Sequence, residues 1–574
     1  MDRTAWIVVA ACVIGLVSWQ IYVAKQMPSR PAPVNVASGQ ASPTVTPKAF
    51  EASPSPAEPE ATPKSADSVP SFAEKTEILR NSDVELRLTN RGGGIKEAVL
   101  LRQIAEKGQR VVLNSGQSAP IGAIIEQPST PTLSEFTAST ESNSLVQFER
   151  TTEDQVVIRK KFSFEKSSGT KDNYVIEMDV DLENRGGKPY QTAGYFVALG
   201  SAAPIHPKDY PSYTRLAWCI DGRAKGIDVS WFGSSGGFLG LVGQRAARPY
   251  YQENVSGAEW VAVSNQFFTT LMAPLTAKAT GVWGRRFDVE YSPEQKLPAI
   301  EGALGMPGFQ LQPGQTYSAR FEIYAGPKLY HSLAQLSHNE SEVMDFGIFK
   351  LVCQFLLNFM NLLHSWLGGY GLAILALTTI IKLTLWPIQN RANRSMRQMA
   401  ALSPKMQELK DKYKDDPTRM NQELMKLYKQ YGINPVGGCL PMLIQIPIFF
   451  GLFKMLGQAV ELRNAKFLWV KDLSQPDTIA HLPILGWPIN IIPLCMAATQ
   501  IWLMAMTPKT GDPTQRRVMM FTPLIFLFIC YNFAAALALY YTAQNLFSIL
   551  QFYQNKRQPM PTLEKVAPAG KRKR

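Results

Sequence analysis

The sequence predicts a multidomain protein: an α-helical membrane bundle, with six transmembrane helices in total, joined to a large antiparallel β-sandwich. Three observations carry this. Residues 346–555 are dense in Leu, Ile, Phe, Met and Trp, whereas 25–345 are mixed and polar. From about 76 to 327 the dominant hydrophobic period is two, that of a half-buried strand. Beyond 346 the period turns helical. A chain of 574 residues is also too long for one ordinary domain.

The run Thr4–Val23 is apolar and spans about 30 Å as a helix, enough to cross the hydrocarbon core. Val9-Ala10-Ala11-Cys12 faintly resembles a lipoprotein cleavage site, but the apolar stretch before Cys12 is too short and the run continues past it. No convincing small-residue cleavage site follows, so 1–24 reads as an uncleaved anchor. Residues 25–75 are rich in Pro, Ala, Ser and Glu and read as a flexible tether, since they cannot bury enough surface to offset ordering entropy.

The β-sandwich is expected over 76–330. Tyr174, Ile176, Met178, Val180 and Leu182 alternate with Glu177, Asp179 and Asp181. Val84 to Leu88 and Arg320 to Tyr324 alternate in the same way. Gly92-Gly93-Gly94 and Asn184-Arg185-Gly186-Gly187 supply turns. The glycine-rich stretch Gly233 to Gly243 lacks phosphate-binding spacing and reads as a loop or closely packed strand. In 331–368 the polar positions Lys350, Gln354, Asn358, Asn361 and Ser365 recur every three or four residues beside Phe349, Val352, Phe355, Leu356, Phe359, Leu362 and Leu363. An amphipathic helix lying in the membrane interface fits that stripe; a helix packed on the β domain is the alternative.

Five apolar spans follow within 369–556, at about 369–387, 436–460, 483–506, 518–533 and 534–553. The fourth covers only about 24 Å, which suits local bilayer thinning. Between the first two, 389–435 reads as a charged helical hairpin. Ser403-Pro404 and Asp416-Pro417 have the form of N-caps followed by proline at the first helical position, and Gly432 is placed to end the second helix. This hairpin holds ten Lys/Arg against five Asp/Glu. The loop 507–517 carries Lys509, Arg516 and Arg517, and the basic tail 557–574 ends Lys571-Arg572-Lys573-Arg574. Lysine and arginine gather on the cytoplasmic side, so both termini are expected inside and the β domain in a periplasm.

The formal net charge of +13 thus follows membrane topology, and no aromatic-basic nucleic-acid module accompanies it. Of the cysteines Cys12, Cys219, Cys353, Cys439, Cys495 and Cys530, only Cys219 falls in the large polar region, which excludes a disulfide framework there. No metal-binding cluster, phosphate loop or acid/base pair stands out, so neither an enzyme nor a cofactor is expected.

Lys382 is the feature that points to a function. It shares a helix face with Thr378 inside an apolar span, and an ionisable group there typically costs about 2.5–3.5 kcal/mol. It lies only about 7.5 Å from the end of the span at Pro387, so snorkelling is an alternative account. Gln445 interrupts the second bundle span and Thr499-Gln500 the third. Tyr541, Gln544, Asn545 and Ser548 follow one helical face in the last. Such faces imply either a shared wet interior or interhelical hydrogen bonds that hold the bundle together.

Several longer stretches resemble the YidC family of bacterial membrane protein insertases. They are Asn434-Pro435-Val436-Gly437-Gly438-Cys439-Leu440-Pro441 running into Leu443 to Phe449, Val460-Glu461-Leu462-Arg463, Asp472-Leu473-Ser474, Leu482-Pro483-Ile484-Leu485, and Leu539-Tyr540-Tyr541 with Asn545-Leu546. The anchor, tether and β-sandwich are similar to the Gram-negative branch. The resemblance implies insertion of nascent membrane proteins, alone or beside the Sec translocon, through a hydrophilic groove open to cytoplasm and lipid. It implies that Thr378, Lys382, Gln445, Tyr541, Gln544 and Asn545 line that groove. Lysine stands at 382 where the family usually has arginine; the charge is kept and the planar, bidentate fork is lost. The expected partners are nascent chains, the translocon, membrane lipids and a ribosome met by the hairpin and basic tail, with no DNA. A small-molecule transporter is the rival reading, but the five bundle spans contain no Asp or Glu and no evident repeat. A sugar-processing β domain is a third, without a carboxylate pair to support it.

Overall fold

A computed structural model describes residues 72–556 apart from 117, 143, 165–172, 235–244, 415, 434–439, 483–485 and 507–512. The anchor 1–24, nearly all of the tether, the glycine-rich loop from 235 to 243, the stretch Asn434 to Cys439, the loop 507–512 and the tail 557–574 lie outside the described residues.

The alternating segments are strands. Val175–Asn184 turns Ile176, Met178, Val180 and Leu182 into the core while its acidic residues stay half-exposed. It pairs antiparallel with Val156–Phe164 on one side and Thr316–Pro327 on the other. These belong to a nine-stranded sheet, accompanied by sheets of five and four strands, all antiparallel. The five-stranded sheet centres on the long strands Tyr190–Ala202, Ala279–Ser292 and Gln295–Leu311. It packs so closely on the nine-stranded sheet that a Cβ at Gly302 would lie 2.8 Å from both Leu216 and Val263. Leu199, Leu216, Val263 and Leu304, all fully buried, belong to the continuous core that results. Gly92 and Gly93 turn with φ of +75° and +55°, the left-handed region that glycine adopts without penalty.

Seven helices of the C-terminal region concern the site: α1 (Lys350–Leu367), α2 (Tyr370–Lys412), α3 (Pro417–Gln430), α4 (Leu440–Leu456), α5 (Ile491–Met506), α6 (Pro513–Cys530) and α7 (Ala535–Lys556). Two described segments, Gly347–Leu367 and Tyr370–Lys412, are long and apolar enough to cross a membrane, while Ile444–Leu456, Ile491–Met506 and Phe521–Cys530 are apolar but shorter.

Three expectations change. The hairpin does not begin at a cap on Ser403: α2 runs unbroken for 43 residues, about 64 Å, with Pro387 and Pro404 inside it. Proline removes one hydrogen bond from a long helix without ending it where flanking turns persist. The second arm is as read, with Asp416 accepting from the Arg419 amide 3.0 Å away and Pro417 at the first turn. Ile433 N donates to Tyr428 O and Gly432 N to Lys429 O, a Schellman end on a glycine of φ +61°. Next, α5 starts at Ile491, not 483, because Pro488–Asn490 pairs with Thr478–His481 as a small hairpin. Last, α1 is apolar on two sides. Cys353, Leu356, Leu357, Met360 and Leu363 are buried against the bundle, while Leu351, Phe355, Leu362 and Trp366 are exposed.

The β domain meets the helices through specific polar contacts. Gln266 Nε2 donates to Gly457 O at 2.8 Å, Lys328 Nζ to Gln458 Oε1 at 3.1 Å, and Gln475 Nε2 to Asp209 Oδ1 at 3.0 Å. The Arg463 guanidinium lies 5.1 Å from the ring centres of Phe267 and Phe268. Burial lowers the Lys328 ammonium to about 7, with the charge of Arg215 adding to the shift and that of Asp345 opposing it.

Candidate functional site

On α7, Tyr540, Gln544, Ser548, Gln551 and Asn555 recur at intervals of four, four, three and four, which stacks them on one face. All five are buried. The face lies against α2 and α4, which supply the complementary polar groups. Lys382 Nζ donates to Ser548 Oγ at 2.9 Å, and that hydroxyl donates to Gln544 O one turn back at 3.0 Å. Gln445 Nε2 from α4 donates to Tyr540 Oη at 2.9 Å and to Gln544 Oε1 at 3.1 Å. Toward the far end of the face, Gln551 Nε2 donates to Asn390 Oδ1 at 2.8 Å and Asn555 Nδ2 donates to the same oxygen at 3.2 Å. Arg397 Nη1 closes the row on Asn555 O at 2.7 Å. The result is a polar seam along the α2–α7 contact, starting where the outer face of α2 is apolar at Ile380 and Leu383 and ending beside the exposed Arg391 and Arg394.

Lys382 is 8% exposed and has one hydrogen-bond acceptor among the described residues. An ammonium has three donors, and burial makes each unmet one costly. Asn393, 1% exposed near the same end as Asn390, has neither amide atom partnered among the described residues. Lys382 and Asn393 therefore give the seam spare hydrogen-bonding capacity among the described residues.

The residues singled out from sequence do not all meet. Lys382, Gln445 and Gln544 converge: Ser548 links Lys382 to the Gln544 carbonyl, and Gln445 bonds the Gln544 side chain directly. Thr378 is buried one turn before Lys382, and its hydroxyl donates to Ile374 O of its own helix at 2.7 Å. Asn545 turns to α5, where its Nδ2 donates to Thr499 Oγ1 at 3.1 Å and Met496 O at 3.3 Å. Tyr541 joins an aromatic cluster instead, its ring centre 4.8 Å from Phe526 and 5.6 Å from Phe449. The row 541, 544, 545, 548 thus splits among four helices, α2, α4, α5 and α6, because α7 is packed on several sides and a few tens of degrees decide which helix a side chain meets. Sequence reasoning does not pick out Tyr540, Gln551, Asn555 or Asn390; the 4-4-3-4 spacing from Tyr540 to Asn555 is a signal for the three on α7, whereas Asn390 lies on α2 and is found only by packing.

Residues 362–561 match the family described as 60Kd inner membrane protein, and 78–359 match the YidC periplasmic domain. A membrane protein insertase YidC from Cupriavidus taiwanensis is 30% identical over 495 residues, covering 84% of this chain and 82% of that one. The chain belongs to the YidC family. Another YidC insertase, from Syntrophobacter fumaroxidans, is 38% identical over 302 residues; the match takes in 51% of this chain and about half (53%) of the relative. A solved structure of an active YidC insertase with its first transmembrane domain resolved aligns with 85% of this chain and 94% of its own, at 18% identity and a TM-score of 0.35. The YidC periplasmic match coincides with the sandwich, and the second match takes in all the helices that build the seam.

Proposed function

We propose that this chain inserts membrane proteins into the bacterial inner membrane and assists their folding, alone or with the Sec translocon, without chemical catalysis. The observation that carries the reading is Lys382, a buried cation with a single hydroxyl acceptor among the described residues, set in a polar seam between helices. Family membership supports the same reading. The seam, with Thr378, Gln445, Tyr541, Gln544 and Asn545 around it, receives the polar segment of an incoming chain while its apolar segment passes into lipid. Lys382 attracts acidic residues of the translocated part, and the shared polar groups replace part of the water such residues lose.

The accompanying topology has six spans, both termini in the cytoplasm and the sandwich in the periplasm, a reading that the distribution of lysine and arginine supports. The α2–α3 hairpin and the basic tail meet the ribosome and nascent chain first, since a basic surface suits RNA phosphates. The test is to deplete the protein and follow a short, Sec-independent single-span substrate. Insertion should fail and return when the wild-type chain is resupplied. Normal insertion in depleted cells would contradict the proposal.

A further inference from the structure

Between the helices and the β domain, Ala465 to Lys471 forms a turn whose tip is apolar and bare. Phe467 N donates to Val470 O at 3.0 Å and Val470 N to Phe467 O at 2.8 Å, leaving Leu468 and Trp469 at the apex. Leu468 is 73% exposed and Trp469 46%. Leu468 has φ +52°, a left-handed conformation that a branched apolar side chain rarely adopts. Strain of this kind persists only where the surroundings over-determine it, and it points toward function.

The surroundings do so here. The Phe467 ring lies on the first turn of α2, where a Cβ on Gly371 would be 2.1 Å from Phe467 Cδ2. Trp469 Nε1 donates to Asp477 Oδ2 at 3.2 Å, and the same oxygen accepts from Ile492 N at the start of α5 at 2.8 Å. A few residues earlier, Arg463 packs on Phe267 and Phe268 of the β domain. The tip is thus fixed at the level where membrane helices end and the polar domain begins. The exposed Trp366, Leu367 and Leu372, at the α1–α2 corner beside Gly371, continue its apolar surface. Lys466 and Lys471, both exposed, bracket it.

We propose that this turn is a lipid anchor: Leu468 and Trp469 insert into the bilayer leaflet next to the β domain, and Lys466 and Lys471 contact its anionic phosphate headgroups. The proposal rests on the reading of α1 and α2 as membrane helices. Charge and shape both favour lipid as the occupant. An apolar tip with an indole held by its N–H suits the membrane interface, and paired cations suit phosphates. Anchoring at this level sets the depth at which Lys382 sits.

The test uses the full chain in its native membrane, with benzoylphenylalanine replacing Leu468, Phe355 or Ile78 in turn. Phe355 is on the exposed apolar face of α1, and Ile78 is exposed on the β domain. After illumination, phospholipid adducts are expected at 468 and 355 and none at 78. Adducts at 355 with none at 468, or protein adducts at 468, would overturn the anchor and leave the membrane reading intact. No lipid adduct at either site would overturn both. In liposomes, K466E with K471E should lower the 468 adduct about fivefold with phosphatidylglycerol and leave it unchanged with phosphatidylcholine. Equal loss in both lipids would remove the lysines from the proposal. Leu468→Asn, which tolerates the left-handed turn, keeps the fold and should reduce lipid contact of the neighbouring Trp469.

Discussion

Two buried lysines divide the molecule. Lys160, in the β domain, is fully enclosed: its Nζ donates to Gly92 O at 2.6 Å and Gly122 O at 3.1 Å and sits 4.6 Å from the centre of the Phe136 ring. Its donors are largely committed to the carbonyls of two glycine turns. Lys382, in the helices, is nearly as buried but has one serine hydroxyl. The same residue type is a staple in one place and a group with spare capacity in the other. What separates them is the number of fixed acceptors, not burial.

The largest effect should come from breaking the staple. Lys160→Met leaves two buried carbonyls unmet, and we expect the β domain to lose about 2–5 kcal/mol, read by denaturant unfolding of the full chain in detergent. The same variant should flatten a pH dependence. Burial lowers Lys160 from an ordinary value near 10.5 to about 7. Between those limits the unfolded chain binds a proton that the folded chain does not, so stability rises as pH is raised through the window. Lys328 at the domain junction is lowered to about 7 as well and contributes the same sign. A pH-independent midpoint in the parent protein would contradict this.

Lys382 should behave in the opposite way. Lys382→Ala should leave the unfolding midpoint nearly unchanged, since one hydroxyl is released, yet reduce insertion of an acidic substrate about tenfold, or ~1.4 kcal/mol in the equivalent equilibrium. Lys382→Arg should retain activity. A large loss of stability in Lys382→Ala would make it a second staple. Gln445→Leu should show an intermediate pattern, because it removes donors to both Tyr540 and Gln544 and leaves their oxygens buried. The smallest effect belongs to the α3 cap: Asp416→Ala should cost about 1 kcal/mol of local helix stability, seen as faster amide exchange in α3 alone.

The contrast also explains how far the sequence could be read. The sandwich was legible because half-buried strands must alternate, as Val175–Asn184 does, and because Gly92 and Gly93 mark a turn that other residues resist. Lys382 and Gln445 stood out because each interrupts an apolar run, and Gln544 because it lies on a polar face of the last helix; that they serve one groove is what the family resemblance implies. Their partners were not legible, because Tyr540 and Tyr541 are adjacent and chemically alike, and only packing against α4 sends the first to Gln445 and the second to Phe526. Continuity of α2 through Pro404 was hidden for a similar reason: Ser-Pro has the form of a cap, and a helix already seeded on both sides overrides it. Alternation puts Lys160 on the inward face with Phe162 and Lys161 on the outward one; that a lysine can fill the inward place depends on glycine turns 38 and 68 positions away.

The most direct test of the seam is a charge exchange. Two versions of one single-span substrate, with an acidic or a basic residue in the translocated segment, are inserted by the wild-type chain and by Lys382→Glu. The wild type should favour the acidic substrate and the variant the basic one, with both chains equally stable. Equal preference in the two chains would show that the charge at 382 does not guide polypeptide into the membrane.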